Sequence, residues 1–387
     1  MRIALLFRPG GPWPGGFYYL QNLVLALRSL PPTEQPELVA FVATGSHVPA
    51  EELAPVLPVL RYSSPNPRRT PATRARDLLR RADAVRRSLP WGVLGAAKRR
   101  PVEVVFPFFD EDGRAPYSGL PWIPDLQHFH FAEYFSPEER AHRTELFRRI
   151  AERAPLAVVS SATAKRELEE RFPAFHGKLR VLRFTTVPRP EWAAADPQEV
   201  ARRYGVARPY FMLPNQLWVH KNHLLAFEAL RRLRAEGVDA PLVCTGQAED
   251  YRHPEHPRRL REFVEGNGLA DRVVMLGVVP REDYVALLRG AAAVLQPSRF
   301  EGWSSTVEDA RAFGKRLVLS DLPSHREQDP EGARYASPDD PDAFAAAMRA
   351  ALEDEGAPDE AEALAAQRLR VAAYAREFCA IAREAAA

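Results

Sequence analysis

The sequence predicts an α/β protein of two Rossmann-like, doubly wound domains facing a central cleft. Three observations lead there. A chain of 387 residues is too long for one ordinary core and suits two units of roughly 150 to 200 residues. Short aliphatic or β-branched runs alternate with helical stretches through both halves, the pattern of parallel sheets with crossover helices. Between the halves, Thr185-Thr186-Val187-Pro188-Arg189-Pro190 interrupts the periodicity, and its prolines stiffen an extended link.

In chain order, the strand-like runs of the first half are Ile3 to Phe7, Leu38 to Val42, Val102 to Phe106, Ala157 to Ser160 and Leu179 to Phe184. Those of the second half are Tyr210 to Leu213, Pro241 to Thr245, Val273 to Leu276, Ala293 to Leu295 and Leu317 to Leu319. The link places an N-terminal domain at 1–187 and a C-terminal domain at 188–358. Ser136-Pro137-Glu138-Glu139 combines an N-cap, a proline at the first helical position and a capping-box glutamate, so a helix starts there. The last segment, about 359–387, spaces Leu364, Leu369, Val371, Ala372, Tyr374 and Phe378 along a helix as one or more apolar faces and is expected to pack back on the first domain.

Composition narrows the function classes. Apolar residues make up 46% and charged residues 27% of the chain, as in ordinary globular proteins rather than disordered or fibrous ones. A formal charge of +2 argues against a global nucleic-acid footprint. Cys244 and Cys379 sit in apolar patterns without a CxxC or Cys/His cluster, so neither a disulfide framework nor a zinc site is expected, and a reducing cytoplasm fits. The run Ile3 to Phe7 is too short for a signal-peptide core, and no apolar run approaches about eighteen residues, so no membrane span is expected. The segment 61–100 is strongly basic. It reads either as a solvated insertion or as a peripheral contact with the inner membrane face or a phosphorylated acceptor.

The most informative stretch is Pro297-Ser298-Arg299-Phe300-Glu301-Gly302-Trp303-Ser304-Ser305-Thr306-Val307-Glu308-Asp309. It leaves a strand, turns at Gly302 and enters a helix. Amides of Ser304, Ser305 and Thr306 at the positive helix end are then a ready site for a pyrophosphate. Glu301 and Asp309 are carboxylates suited to sugar and ribose hydroxyls respectively. Pro214-Asn215-Gln216-Leu217-Trp218-Val219-His220-Lys221 follows the first strand of the second half, where doubly wound domains bind phosphates, and Lys221 supplies a mobile cation for a diphosphate leaving group.

These residues resemble the donor motif of the retaining glycosyltransferases of family 4, a group 1 family with the GT-B fold. In it a Glu, seven intervening residues and a second acidic residue bracket a Gly-containing loop. The resemblance runs from about Trp122 to Ala345, is weak between Pro49 and Pro101, and implies several roles. Glu301 and Lys221 would be catalytic, with His128 from Asp125-Leu126-Gln127-His128-Phe129-His130 near the transferred sugar and His130 as second choice. Asn215, Gln216, Gly302, Trp303, Ser304, Ser305 and Thr306 would hold the donor. Gly15 and Gly16 would lie beside its phosphates, and Gly277 and Val278 would cradle its base. Two departures stand out: Gln216 occupies a position where many members carry Arg, and Asp309 replaces the usual Glu, leaving Asp309 or neighbouring Glu308 to contact ribose.

The implied activity is a metal-independent, retaining, hexosyltransferase-type glycosyltransferase of glycan or polysaccharide biosynthesis. Its cosubstrate would be a nucleoside-diphosphate sugar, with no resident cofactor, and its acceptor a glycan, a lipid-linked molecule or a small molecule. Asp110-Glu111-Asp112 and Asp340-Pro341-Asp342 match an Asp-x-Asp metal spacing, but Asp340 reads as a helix cap and no metal site is assigned. Gly10-Gly11-Pro12-Trp13-Pro14-Gly15-Gly16 is not the dinucleotide GxGxxG. A sugar-nucleotide epimerase or hydrolase of the same fold, and a catalytically silent sugar-nucleotide-binding protein, remain the alternatives.

Overall fold

The computed structural model describes every residue except 8–14, 44–56, 63–92, 94–95, 98–99, 112, 114, 251, 355 and 357–358. The first half begins β1 (Arg2–Phe7), α1 (Gly15–Arg28), β2 (Glu37–Ala43), β3 (Val59–Tyr62), β4 (Val104–Phe106) and β5 (Ser118–Gly119). These strands form a sheet in the order β3-β2-β1-β4-β5, with every pair parallel. The chain continues through Leu120 and Pro121 into β6 (Trp122–Ile123), then α2 (Gln127–His130), α3 (Pro137–Arg153), β7 (Ala157–Val159), α4 (Ala162–Arg171) and β8 (Leu179–Val181). The last three strands make a parallel sheet β6-β7-β8. The expected start of α3 is realised: Ser136 caps the Glu139 amide at 3.2 Å with Pro137 behind it, a cap of about 1 kcal/mol.

Beyond the link come α5 (Pro190–Ala194), α6 (Pro197–Arg203), β9 (Phe211–Leu213), α7 (His223–Ala235), β10 (Leu242–Cys244), α8 (His256–Gly266) and β11 (Val273–Met275). They are followed by α9 (Arg281–Gly290), β12 (Ala293–Gln296), α10 (Ser305–Ala312), β13 (Leu317–Ser320), α11 (Pro323–Gln328), β14 (Arg334–Ala336), α12 (Pro341–Glu353) and α13 (Glu360–Ala386). The second sheet is wholly parallel in the order β11-β10-β9-β12-β13-β14. Its two faces bury different cores. Phe211 and Leu213 of β9 face one, and Met212 faces the other, as strand alternation between two helical layers requires. The chain therefore has the α/β, doubly wound architecture that the alternation implied.

β3, β5 and β14 did not stand out in the sequence. All three are sheet edges, where a strand needs only one buried face and tolerates Arg61 or Arg334 within it. After α12 the chain returns to the first half. α13 lays Val371, Tyr374, Phe378 and Ile381 into the same core as Ile3, Leu5 and Phe106, with the Phe106 and Phe378 rings 5.1 Å apart. Among the described residues no helix is long and apolar enough to cross a membrane. Both cysteines are free and buried.

One carboxylate ties the halves together. Glu327 of α11 accepts from the amides of Ala162 and Thr163 at 2.7 and 2.9 Å and from Arg183 at 2.8 Å, so an anion from one half caps the positive end of a helix in the other. Burial opposes its charge, but those two amides and Arg183 outweigh it and hold the carboxyl below its ordinary range.

Candidate functional site

Where strand order reverses, adjacent connections leave on opposite faces and a crevice opens at the carboxyl ends of the strands. In the second sheet that point lies between β9 and β12, and the loops after both strands line a cavity of about 840 Å³ between the two halves. Tyr18, Asn22, Trp122, Asp125, Gln127 and Arg143 line it from the first half. Asn215, Gln216, Lys221, Arg252, Arg281, Glu301, Gly302, Thr306 and Asp309 line it from the second.

At the centre, Lys221 Nζ donates to Glu301 Oε1 at 2.6 Å, with side-chain exposures of 12% and 9%, so the pair is nearly dry yet still reachable from the cleft. Gln296, the last residue of β12, donates to the same oxygen at 2.7 Å and accepts from Asn215 Nδ2 at 2.8 Å. A side-chain ladder thus runs across the switch point. Lys221 ends a single turn, Val219–Lys221, which stops at Asn222 in the left-handed region (φ 56°). Asn tolerates that conformation, and Asn222 Nδ2 holds the turn by donating to the carbonyls of Pro297 and Pro338. Burial pushes the Glu301 carboxyl up, but the Lys221 ammonium and the His325 ring outweigh it, so its proton affinity is lowered and the site holds a carboxylate. His325 is fully buried, and its Nδ1 donates to the Ser320 carbonyl at 2.8 Å.

The Gly302 turn is sterically required. A Cβ there would sit 2.5 Å from the Pro124 carbonyl oxygen and 3.3 Å from Asp125 Cβ, so only glycine lets the loop meet the first half. Trp303 lines the cavity and anchors the loop by donating to the Phe184 carbonyl at 2.9 Å. Ser305 and Thr306 open α10 and line the cavity, and as first-turn residues their amides have no intrahelical acceptor. The amide of Ser304 differs from the expectation. It donates to Gln328 Oε1 at 3.0 Å inside the protein, so it is not available to a ligand.

Asp309 lines the cavity, whereas Glu308 is turned away from it. Neighbouring helical residues point about 100° apart, and their packing partners decide which one faces the cleft. Glu308 is 2% exposed and accepts from Thr185 Oγ1 and Gln328 Nε2 at 2.9 and 3.0 Å, and burial raises its pKa. Asp309 accepts from Thr186 Oγ1 at 2.6 Å, Arg281 Nη2 at 2.7 Å and Tyr284 OH at 2.9 Å.

His128 is corrected most clearly. It does not line the cavity. It is 2% exposed among Phe129, Phe135 and Phe147, and neither ring nitrogen has a hydrogen-bond partner among the described residues. Burial, reinforced by Arg143 and Arg171, lowers its pKa to about 4, so the ring is neutral at physiological pH. His130 bonds Glu167 at 2.9 Å and packs against Phe300, also off the cavity. Asp125 and Gln127 of the same segment reach the cleft instead.

Gly15 and Gly16 open α1, whose Tyr18, Tyr19 and Asn22 face the cavity, while residues 10–14 of the glycine loop lie outside the described residues. Gly277, in the left-handed region at φ 67°, does not line the cavity and accepts from the Gly246 amide at 2.8 Å; Val278 does line it. Gln216 lines the cavity and adds no charge. Asp340 caps α12 through the amides of Asp342 and Ala343, and Asp112 and most of 61–100 lie outside the described residues.

Two arginines escaped the sequence reading. Arg281 pairs with Asp309 and stacks over the rings of Tyr284, Trp192 and Tyr18 at 4.5, 5.0 and 5.6 Å. Arg252 reaches across the cleft to Gln127 Oε1 at 2.9 Å. Arg281 follows Gly277-Val278-Val279-Pro280 directly, so its adjacency to a strand end was the available signal. Arg252 lies eight residues beyond β10 in an irregular loop that offers none.

Comparisons with known proteins bear on family likeness and fold. Residues 208–354 match the family described as glycosyl transferases group 1. The chain is similar to the O-antigen chain mannosyltransferase RfbU of Salmonella typhimurium, 26% identical over 140 residues, which are 36% of this chain and 37% of that protein. It is also similar to the alpha-D-kanosaminyltransferase of Streptomyces kanamyceticus, 26% identical over 215 residues, 52% of this chain and 53% of that one. The matched stretches thus span between about a third and a half of those relatives. In fold it resembles Anabaena Alr3699/HepE in complex with UDP and glucose, with a TM-score of 0.72, 15% identity, and coverage of 98% of this chain and 99% of that one. The likeness to the group 1 glycosyl transferases thus lies in residues 208–354, and the chain as a whole has the GT-B fold of two Rossmann-like halves.

Proposed function

We propose that the protein transfers a sugar from a nucleoside-diphosphate sugar to an acceptor hydroxyl, with retention of configuration and without a metal, in glycan or polysaccharide biosynthesis. The observation that carries this reading is the Lys221–Glu301 pair at the switch point, in one cavity with the first-turn amides of α10. The two groups suit different parts of one donor. The ammonium and the amides of Ser305 and Thr306 stabilise negative charge on the departing diphosphate, and the Glu301 carboxylate accepts from sugar hydroxyls. Each neutralises the other at 2.6 Å, so a donor that engages both must separate them. Asp309, rather than Glu308, is the carboxylate that ribose hydroxyls can reach, in exchange for one of its three present donors.

The acceptor oxygen attacks the anomeric carbon from the side the diphosphate leaves. The bond to the phosphate oxygen breaks, the new glycosidic bond forms, and the acceptor's proton passes to the leaving phosphate. The relatives named as a mannosyl- and a kanosaminyltransferase, and the fold relative crystallised with UDP and glucose, support a hexosyl donor. The charge-neutral Gln216 favours, as a second reading, a protein that binds sugar nucleotides without turning them over.

A melting-temperature panel of nucleoside diphosphates and their sugars tests binding, since a ligand of the native state alone must raise the transition. Turnover of the stabilising donor that falls about 10²- to 10³-fold in Glu301→Gln is expected of the enzyme. Binding with no turnover in either protein selects the silent reading.

A further inference from the structure

Glu308 is a buried carboxylate beside the donor loop that the proposed chemistry leaves unused, and it belongs to a chain of polar side chains. Gln367 of α13 donates through Nε2 to Thr185 Oγ1 at 2.7 Å and also to the Thr186 carbonyl. Thr185 has one hydroxyl proton and gives it to Glu308 Oε2 at 2.9 Å. Glu308 Oε1 accepts from Gln328 Nε2 at 3.0 Å. The same Gln328 side chain grips Ser304 on both backbone groups: Nε2 donates to its carbonyl and Oε1 accepts from its amide, each at 3.0 Å. Exposures are 0% for Gln367, 4% for Thr185, and 2% for Glu308, Gln328 and Ser304, so water does not substitute for a lost link.

The ends of this chain give it meaning. Ser304 is the N-cap of α10, directly before the amides that face the cleft. Thr185 lies in the link between the halves. Gln367 lies where α13 crosses back, between Glu360, held by Arg289 of the second half, and Phe378, packed on Phe106 of the first. We propose that Gln328, Glu308, Thr185 and Gln367 are positioning residues that register the donor loop against both interdomain crossings, so that nucleotide affinity depends on how α13 is docked. A fully satisfied buried network holds one geometry, and losing an interior link frees both neighbours. The inference rests on the donor reading above.

The test is calorimetric titration of the full chain with UDP, GDP, ADP and dTDP, followed through with the tightest of the four. Thr185→Val keeps the shape and removes the hydroxyl, and is expected to weaken binding about fivefold or more, within the range of such couplings. Thr185→Ser restores the hydroxyl and should stay within about twofold of wild type, while Gln367→Leu, which cuts the chain at α13, should follow Thr185→Val. Met348→Ala, a truncation in a second-half core that includes no residue of the network, controls for stability at a similar loss of melting temperature. Wild-type affinity in Thr185→Val, or an equal loss in Met348→Ala, overturns the network. A wild-type chain that binds none of the four diphosphates overturns the donor reading and the network with it.

Discussion

The two walls of the cleft start from similar signals and end differently. On each, polar residues follow a parallel strand and precede a helix. On the second-half wall Lys221 and Glu301 meet at 2.6 Å and stay open to the cavity. On the first-half wall His128 turns into a cage of phenylalanine rings, with neither nitrogen paired among the described residues. The lesson concerns residue type. An ammonium or a carboxylate is buried only beside a partner, so the two loops that carry Lys221 and Glu301 constrain each other. An imidazole can shed its proton and be buried as a neutral ring, and His128, lowered to about 4, does so. A histidine after a strand is therefore a weaker pointer to a site than a lysine and a glutamate in facing loops.

The largest expected effect comes from dividing the charged pair. On the proposed donor reading Lys221→Ala removes a charge-assisted contact to the diphosphate, and affinity for the nucleoside diphosphate should fall by about 10- to 100-fold by calorimetry. An unchanged affinity would separate Lys221 from the donor. Gly302→Ala comes next. The added methyl meets the Pro124 carbonyl, and the two walls must part by several tenths of an ångström. Transfer should slow by about tenfold while the full chain keeps its secondary structure, and an active variant would show that the walls need not meet at this point.

Glu327→Gln probes the tie between the walls and carries a pH signature. The native carboxyl lies below its unfolded value, so its contribution is present above the ordinary glutamate range and is lost as pH falls through the lowered pKa. A melting difference from wild type at pH 7 that vanishes in acid is expected, of about 1–2 kcal/mol. A difference that persists unchanged in acid would exclude the ionised tie. The smallest effect on turnover is expected from His128→Phe, which should leave transfer within about twofold. Its use is in stability. Between the ordinary histidine value of 6.5 and the folded value of about 4 the unfolded chain binds the His128 proton more readily, so wild type loses stability as pH falls through that window. The variant should show a flatter acid limb, and a turnover loss of tenfold or more would return His128 to the chemistry.

How much was legible follows from what each feature depends on. The inner strands could be read because central parallel strands are buried on both faces and need uninterrupted aliphatic runs, as in Ile3 to Phe7 and Ala293 to Leu295. The edge strands Val59–Tyr62 and Arg334–Ala336 could not. Within the site, Glu301, Gly302 and Lys221 were legible because each lies in a short loop fixed by its own strand. The amide of Ser304 and the choice between Glu308 and Asp309 were not, since Gln328, Thr185 and Thr186 decide them from elements far away in sequence.

The sequence alone determined what local periodicity and loop chemistry can specify: parallel strands with crossover helices, a glycine turn into a helix, and a cation and a carboxylate placed after strands that become neighbours. Tertiary structure decided orientation and company. A helix turns successive residues by about 100°, so Glu308 and Asp309 were adjacent letters until packing sent one inward to Gln328 and the other to the cleft. Distance along the chain hides such partners. Arg281, Arg252 and Gln367 acquired their places only when the two halves and the returning helix closed around one another.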